Sequence, residues 1–191
     1  YSKTYIVMAR TGDDSSRGIS AFILRDGTEG FSFGKKEQKM GWRSSATREV
    51  VFENCFVPSE NLLSDEGMGF KIAMSALDRG RITIAAVANG LSQRALDEAV
   101  NYSLERQQFK QPIFEFQGLQ WMMADMATEI EASKLLVKAA AEAFDEGKNN
   151  IKLASMAKMK STDTAMRVST DAVQIHGGVG YTKEYPVERL M

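Results

Sequence analysis

The chain has 191 residues, enough for one domain or one and a half, and its 43% hydrophobic and 26% charged residues are ordinary for a globular protein. A formal net charge of −1 supplies no electrostatic reason to expect nucleic acid or an anionic membrane as a partner, and no apolar run approaches the roughly 18 residues of a membrane span. One cysteine, Cys55, and one histidine, His176, exclude an internal disulfide, argue against a zinc site and suit a reducing compartment.

Residues 1–60 have the grammar of strands. The runs TYIVMAR, GISAFILR, GFSFGKK and TREVVFENCFVP are short, rich in Val, Ile and Phe, and bounded by turn clusters such as TGDDSSRG and RDGTEG. Four strands at this spacing predict part of an antiparallel sheet, sandwich or barrel, closed by Pro58. Cys55 alternates with apolar neighbours in the last run, which predicts a packed thiol in a strand.

From about residue 65 the periodicity changes to that of helices. The first helical segment covers about residues 67–108 and holds Gly80 between Arg79 and Arg81. A glycine in a helix interior costs about 1 kcal/mol relative to alanine, so a reason for it is wanted. The second segment, 113–146, carries Leu119, Met123, Met126, Ile130, Val137, Ala141 and Phe144 on one face, with Gly147 as the predicted C-terminal cap. The third, 150–176, carries Leu153, Ala157, Val168, Ala172 and Ile175 and stops at Gly177 and Gly178. Three such helices predict an up-down bundle. The fold class is therefore α+β, a partial antiparallel β domain over 1–63 followed by an incomplete α-helical bundle over 64–191. The chain opens directly on a strand and ends on an apolar pair without a cap, so a fragment of a larger protein is expected.

Few residues offer chemistry. HGGVGYT, residues 176–182, follows a helix instead of a strand, which rejects a dinucleotide-binding fingerprint. One of its glycines is accounted for as a helix cap. Three glycines in four positions beside Gln174 also fit a backbone that a ligand approaches closely. Arg106 lies at a helix C-terminus, where the helix dipole alone favours a cation. A ligand reading has its planar fork bind phosphate, with Gln108 hydrogen-bonding and Phe109 packing on a ring. His176 lacks a partner for a catalytic triad, so a solvated or capping role is expected. Asp78, Arg79 and Arg81 are surface charges by default; Gly80 between them tilts the balance toward a site that needs room.

Five segments in order resemble the acyl-CoA dehydrogenase family, nearest its short-chain, medium-chain and short-branched-chain members. They are KMGWRSSATREVVFENCFVPSENLL, GMGFKIAMSALDRGRITIAA, GLSQRALDEAVNYSLERQQF, FQGLQWMMADMATEIEASKLL and DAVQIHGGVGYTKEYPVERLM. The resemblance implies oxidation of an acyl-CoA to its trans-2-enoyl-CoA with FAD as cofactor. It also implies electron-transferring flavoprotein as the electron acceptor, assembly as a dimer of dimers, and a bacterial cytoplasm or mitochondrial matrix. It implies FAD contacts at Arg106, Gln108, Phe109, Gln117, Gln174, Ile175, His176, Gly177 and Gly178, reaching across a dimer interface. Substrate contacts are implied at Asp78, Arg79, Gly80 and Arg81, and subunit packing at Phe116 and Met123. Family members that lack a glutamate at the position of Gly80 carry the catalytic base in a later loop. The base is therefore expected beyond Met191, and Glu98, Glu105, Glu184 and Glu188 are not candidates for it. Gly80 then leaves room for that glutamate. An oxidase of acyl-CoA or of nitroalkanes on the same scaffold, or a non-catalytic helical oligomerisation module for the fragment alone, remain as alternatives.

Overall fold

A computed structural model describes residues 2–148 and 150–191. It divides into two compact units between Ala76 and Leu77, within one long helix.

In the first unit, strands β1 (Thr4–Arg10) and β2 (Ile19–Arg25) pair antiparallel, with Thr4 opposite Arg25 and Arg10 opposite Ile19. The turn between them is built by Asp13, whose carboxylate accepts hydrogen bonds from the backbone N–H and hydroxyl of Ser15. Strands β3 (Phe31–Lys36) and β4 (Arg48–Phe52) form a second antiparallel pair whose register shifts between Phe33 and Lys36. The expected antiparallel strands are thus present as two separate two-stranded ladders. Tyr5, Phe31, Phe33 and Phe52 cluster with ring centroids 4.8–5.3 Å apart.

Strand β4 ends earlier than its apolar run. The Glu53 N–H still donates to Gly30 O in the register of the ladder, and Asn54, at φ 51°, then breaks the extended chain. Cys55 therefore lies beyond the strand and is only half-buried, which corrects the expectation of a packed strand thiol.

The second unit is helical. Helix α1 (Gly69–Glu105) enters it from the first. A hairpin of β5 (Gln107–Gln108) and β6 (Gln111–Pro112) follows, then α2 (Gln117–Asp145), α3 (Ile151–His176) and the short α4 (Val187–Leu190). Gly147 takes φ 68°, its N–H donating to Phe144 O while Lys148 N–H donates to Ala143 O. This double bond pattern is a Schellman cap, the role expected of that glycine.

Two apolar clusters fill the bundle. One joins Ala95, Leu96 and Ala99 of α1 to Met123, Met126 and Ile130 of α2 and Val168, Ala172 and Ile175 of α3. The other joins Ala85, Ala140 and Ala157. Residue numbers rise from the second cluster to the first along α1 and α3 and fall along α2, so the helices run up, down, up. Between the clusters lies a polar layer: Asn89, Ser92, Ser133, Ser161 and Thr164 are buried, and Ser133 bonds Thr164 at 3.1 Å. Met123 is 5% exposed inside this core, so it packs within its own chain and not at a subunit boundary.

Candidate functional site

The C-terminal ends of α1 and α3 border one groove of about 440 Å³, within the roughly 300–1,000 Å³ usual for small-molecule sites. Six of the nine residues read as cofactor contacts line it: Arg106 and Gln108 from one segment, Ile175, His176, Gly177 and Gly178 from another about 70 positions later. Tyr102, Ile113 and Val179 complete the lining, and no sequence signal singled these out.

Arg106 is held by its backbone. Its N–H donates to Tyr102 O and its carbonyl accepts from Ile113 N–H, both at 2.8 Å. Its guanidinium has no hydrogen-bond or ion-pair partner among the described residues. A fixed backbone carrying an uncommitted planar fork is suited to an anion.

The glycines divide by cause. Gly177 caps α3 at φ 64° and ψ −138°, a conformation that side-chain-bearing residues rarely adopt. A Cβ at Gly177 or Gly178 would meet nothing within 4 Å. At Gly180 it would lie 2.5 Å from Val173 O and 2.9 Å from the His176 Cβ. The third glycine is therefore required by the chain's own packing, and ligand approach is a reading for the first two alone.

His176 departs from the solvated or capping role expected of it. It is 3% exposed. Its ring stacks on Tyr102 at 4.3 Å and meets Tyr185 edge-on at 5.2 Å. Its Nδ1 bonds Ala172 O at 2.8 Å, one turn back along α3, while Nε2 is buried without a partner among the described residues. The signal that could have revealed burial is the phase of α3: His176 follows Ile175 on the core face and lies four positions after Ala172.

Phe109, Gln117 and Gln174 are not brought into the groove lining. Phe109 is 79% exposed at the hairpin tip, edge-on to Phe116 at 6.1 Å. Phe109 and its neighbour Lys110 take φ 52° and 66°, the two left-handed positions of a turn that normally holds Asn and Gly. Gln117 opens α2 and Gln174 lies on α3, both exposed.

Asp78, Arg79, Gly80 and Arg81 occupy one turn of α1, away from the groove lining. Asp78 and Arg81 form an ion pair, and the Arg79 guanidinium lies 4.8 Å from the Phe144 ring centroid. A Cβ at Gly80 would meet nothing within 4 Å, but the same holds at Gly90 and Gly118, so open space alone does not distinguish it.

Two other features escaped the sequence reading. Lys160 and Arg167 both bond the Glu129 carboxylate, and the Lys160 bond in the first place holds it below the ordinary glutamate range. Nearby, burial and then Asp125 push the Asp171 carboxyl up, against the pull of Arg167. In the first unit a larger cleft of about 1000 Å³ runs along Tyr5, Phe33 and Trp42. It exceeds the α1–α3 groove in size, but none of the residues read as cofactor or substrate contacts lines it.

Comparison with known proteins matches residues 67–191 to the acyl-CoA dehydrogenase C-terminal domain and residues 1–55 to the acyl-CoA dehydrogenase middle domain. The chain is 52% identical to a short-chain-specific acyl-CoA dehydrogenase of Megasphaera elsdenii over 188 residues, covering 98% of this chain and 49% of that protein. It is 50% identical to an NADH-dependent acryloyl-CoA reductase of Anaerotignum propionicum, covering 91% of this chain and 44% of that one. Among solved structures, one concerning the electron transferring flavoprotein of Acidaminococcus fermentans and flavin-based electron bifurcation superposes with a TM-score of 0.96 at 56% identity. It covers 99% of this chain and 50% of that one. The chain spans about half the length of the curated relatives it matches. With both of its segments matched in order and half its residues shared with such a relative, the chain belongs to the acyl-CoA dehydrogenase family.

Proposed function

We propose that the whole protein oxidises an acyl-CoA thioester to its trans-2-enoyl-CoA with FAD and passes the electrons to electron-transferring flavoprotein. In this reading the 191 residues contribute the adenosine half of a FAD site and part of the substrate channel. The observation that carries it is the groove, in which Arg106, Gln108 and Ile175 to Gly178 converge.

The groove fits that half of the cofactor. Arg106 supplies an uncommitted guanidinium for a phosphate oxygen, His176 holds an unpaired buried nitrogen, and Gly177 and Gly178 leave the backbone open to approach. When bound, the flavin of FAD would supply the hydride acceptor for the substrate β carbon. On α1, the ion-paired Asp78 and Arg81 flank Gly80 and present a fixed charge pair to the coenzyme A arm. The proton-accepting carboxylate comes from outside these residues. Glu98 is committed to Arg94, and Glu105, Glu184 and Glu188 are solvent-exposed, without the dry surroundings that tune a base. The proposed domain junction at residues 63–64 falls in the gap between the matched spans, which end at 55 and begin at 67, and the division into compact units comes later, between Ala76 and Leu77. Assembly as a dimer of dimers, with the exposed Phe109 and Gln117 meeting a neighbouring subunit's cofactor, completes the proposal. The bacterial relatives support a bacterial cytoplasm.

The test is purification of the whole protein. It should carry bound flavin and reduce electron-transferring flavoprotein when given a short acyl-CoA. Absence of flavin, or no bleaching of flavin absorbance by any acyl-CoA, overturns the proposal. The acryloyl-CoA reductase relative favours a second reading, in which the same site runs toward saturation of an enoyl-CoA. Faster turnover from an enoyl-CoA with NADH than from an acyl-CoA would select it.

A further inference from the structure

The polar layer between the two apolar clusters of the bundle is a poor place to leave a group unpaired, because an enclosed donor or acceptor gives up its bond to water without replacement. Most of its members are satisfied. Ser92 donates to Ala88 O at 2.8 Å, and the Ser133 hydroxyl lies 2.8 Å from Glu129 O and 3.1 Å from the Thr164 hydroxyl. Outside the layer, the buried Ser103 and Ser169 donate back to Val100 O and Met166 O in the same manner. Ser161 departs from this pattern. It is fully buried, yet its hydroxyl bonds neither the carbonyl one turn back nor any other group among the described residues. The Oδ1 of Asn89, a residue 6% exposed on α1, is likewise enclosed without a partner among the described residues.

These two groups lie at one level of the bundle. Asn89 is one turn beyond Ala85, Ser161 is one turn beyond Ala157 of the same apolar cluster, and α1 and α3 run in the same direction. Asn89 Oδ1 can only accept, whereas a serine hydroxyl both donates and accepts, so a direct bond between them is chemically open; they do not make it. We propose that this level is an internal hydration site. One ordered water accepts the Ser161 O–H and donates to Asn89 Oδ1, tying α1 to α3. A buried water needs two to four polar partners, and Ser92 and Thr164, one turn further along the same two helices, bring hydroxyl oxygens for its second proton.

The experiment is thermal unfolding of the whole protein as wild type, Ser161→Ala, Asn89→Leu and the double variant. If Ser161 has no partner, alanine removes an enclosed polar atom and the melting temperature holds or rises. The hydration site predicts the reverse. Ser161→Ala should lower the melting temperature by about 2–4 °C, because the water loses one partner and Asn89 is left with a poorly held one. Adding Asn89→Leu to Ser161→Ala should then recover most of that loss, since both polar partners have been replaced by apolar groups. An unchanged or raised melting temperature in Ser161→Ala overturns the proposal. Additive effects in the double variant also overturn it, because they mean that Ser161 bonds a group independent of Asn89. If a variant does not fold, a crystal structure of the wild-type whole protein, at a resolution that shows ordered waters, decides. A water within hydrogen-bond reach of both Asn89 Oδ1 and Ser161 Oγ supports the proposal, and no water density between them refutes it.

Discussion

The glycine turn after α3 yields a prediction with a built-in control. Gly177, Gly178 and Gly180 lie within four positions, yet alanine should act differently at each. At Gly177 the added Cβ meets nothing within 4 Å, so the whole effect is the backbone at φ 64° and ψ −138°. Holding a side-chain-bearing residue there costs about 1–3 kcal/mol. Stiffening the unfolded chain offsets about 0.4–1 kcal/mol of it. The net expectation is about 1–2 kcal/mol of destabilisation. At Gly178 there is neither positive φ nor a neighbour, so Ala is neutral or stabilises by about 0.5 kcal/mol. At Gly180 the new Cβ strikes Val173 O at 2.5 Å, a backbone atom of α3 that cannot step aside. Overpacking of this kind costs about 1–3 kcal/mol. Urea unfolding of the three flavin-free variants measures the order directly. Equal stability of Gly177→Ala and Gly178→Ala, or Gly178→Ala as the weakest of the three, refutes the reasoning. Gly178→Ala is also the functional probe. Its methyl enters open groove space, so FAD affinity should fall although stability does not.

Three further outcomes follow from the hairpin and from the α2–α3 face. Lys110→Gly should stabilise by about 0.5–1 kcal/mol in a urea titration, because glycine accepts φ 66° without the left-handed penalty a lysine bears. Glu129→Gln should destabilise at neutral pH by about 1–2 kcal/mol, since one carboxylate serves both Lys160 and Arg167. The folded Glu129 titrates below its ordinary value near 4.5, so its contribution is present above that pH and lost as the pH falls through the lowered value. The variant's acid-unfolding limb should therefore be flatter. Asp171 has the opposite sign. Its carboxyl is pushed up, so the unfolded chain ionises first and stability drops as pH rises past about 3.8; Asp171→Asn should then be more stable than wild type at neutral pH, by thermal unfolding.

Helices were legible wherever apolar spacing and a glycine stop agreed. Met123, Met126 and Ile130 face the core as their three- and four-residue steps require, and Gly147 forms the predicted cap. The β unit was legible as strands but not as ladders, because pairing and register depend on partners distant in sequence. The end of β4 turns on one left-handed Asn54, which periodicity does not encode. In the site, family resemblance supplied Arg106 and Gly177, while spacing alone left each with a bland explanation. Tyr102 and Ile113 stayed invisible, since a half-buried side chain becomes a wall only when another segment folds opposite it. His176 was misjudged because a polar residue beside two glycines resembles a surface cap. Its two ring neighbours, Tyr102 and Tyr185, come from either side of it in the chain, one of them 74 positions earlier.

Helix polarity constrains what the groove can hold. Because α1 and α3 run parallel, both reach the groove with their C-terminal ends, where unpaired carbonyls carry partial negative charge. Such a place repels a diphosphate and welcomes hydrogen-bond donors. Arg106, directly after α1, therefore has to overcome two helix ends before it attracts a phosphate. Adenosine suits the groove's interior, and the diphosphate depends on this one guanidinium. ADP should accordingly bind the whole flavin-free protein only modestly better than adenosine, by about tenfold. Arg106→Ala should abolish that difference while leaving adenosine binding nearly unchanged, as read by isothermal titration at two salt concentrations. If ADP keeps its advantage in Arg106→Ala, the phosphate is held elsewhere. Lys110, the other uncommitted cation of the hairpin, then becomes the residue to remove.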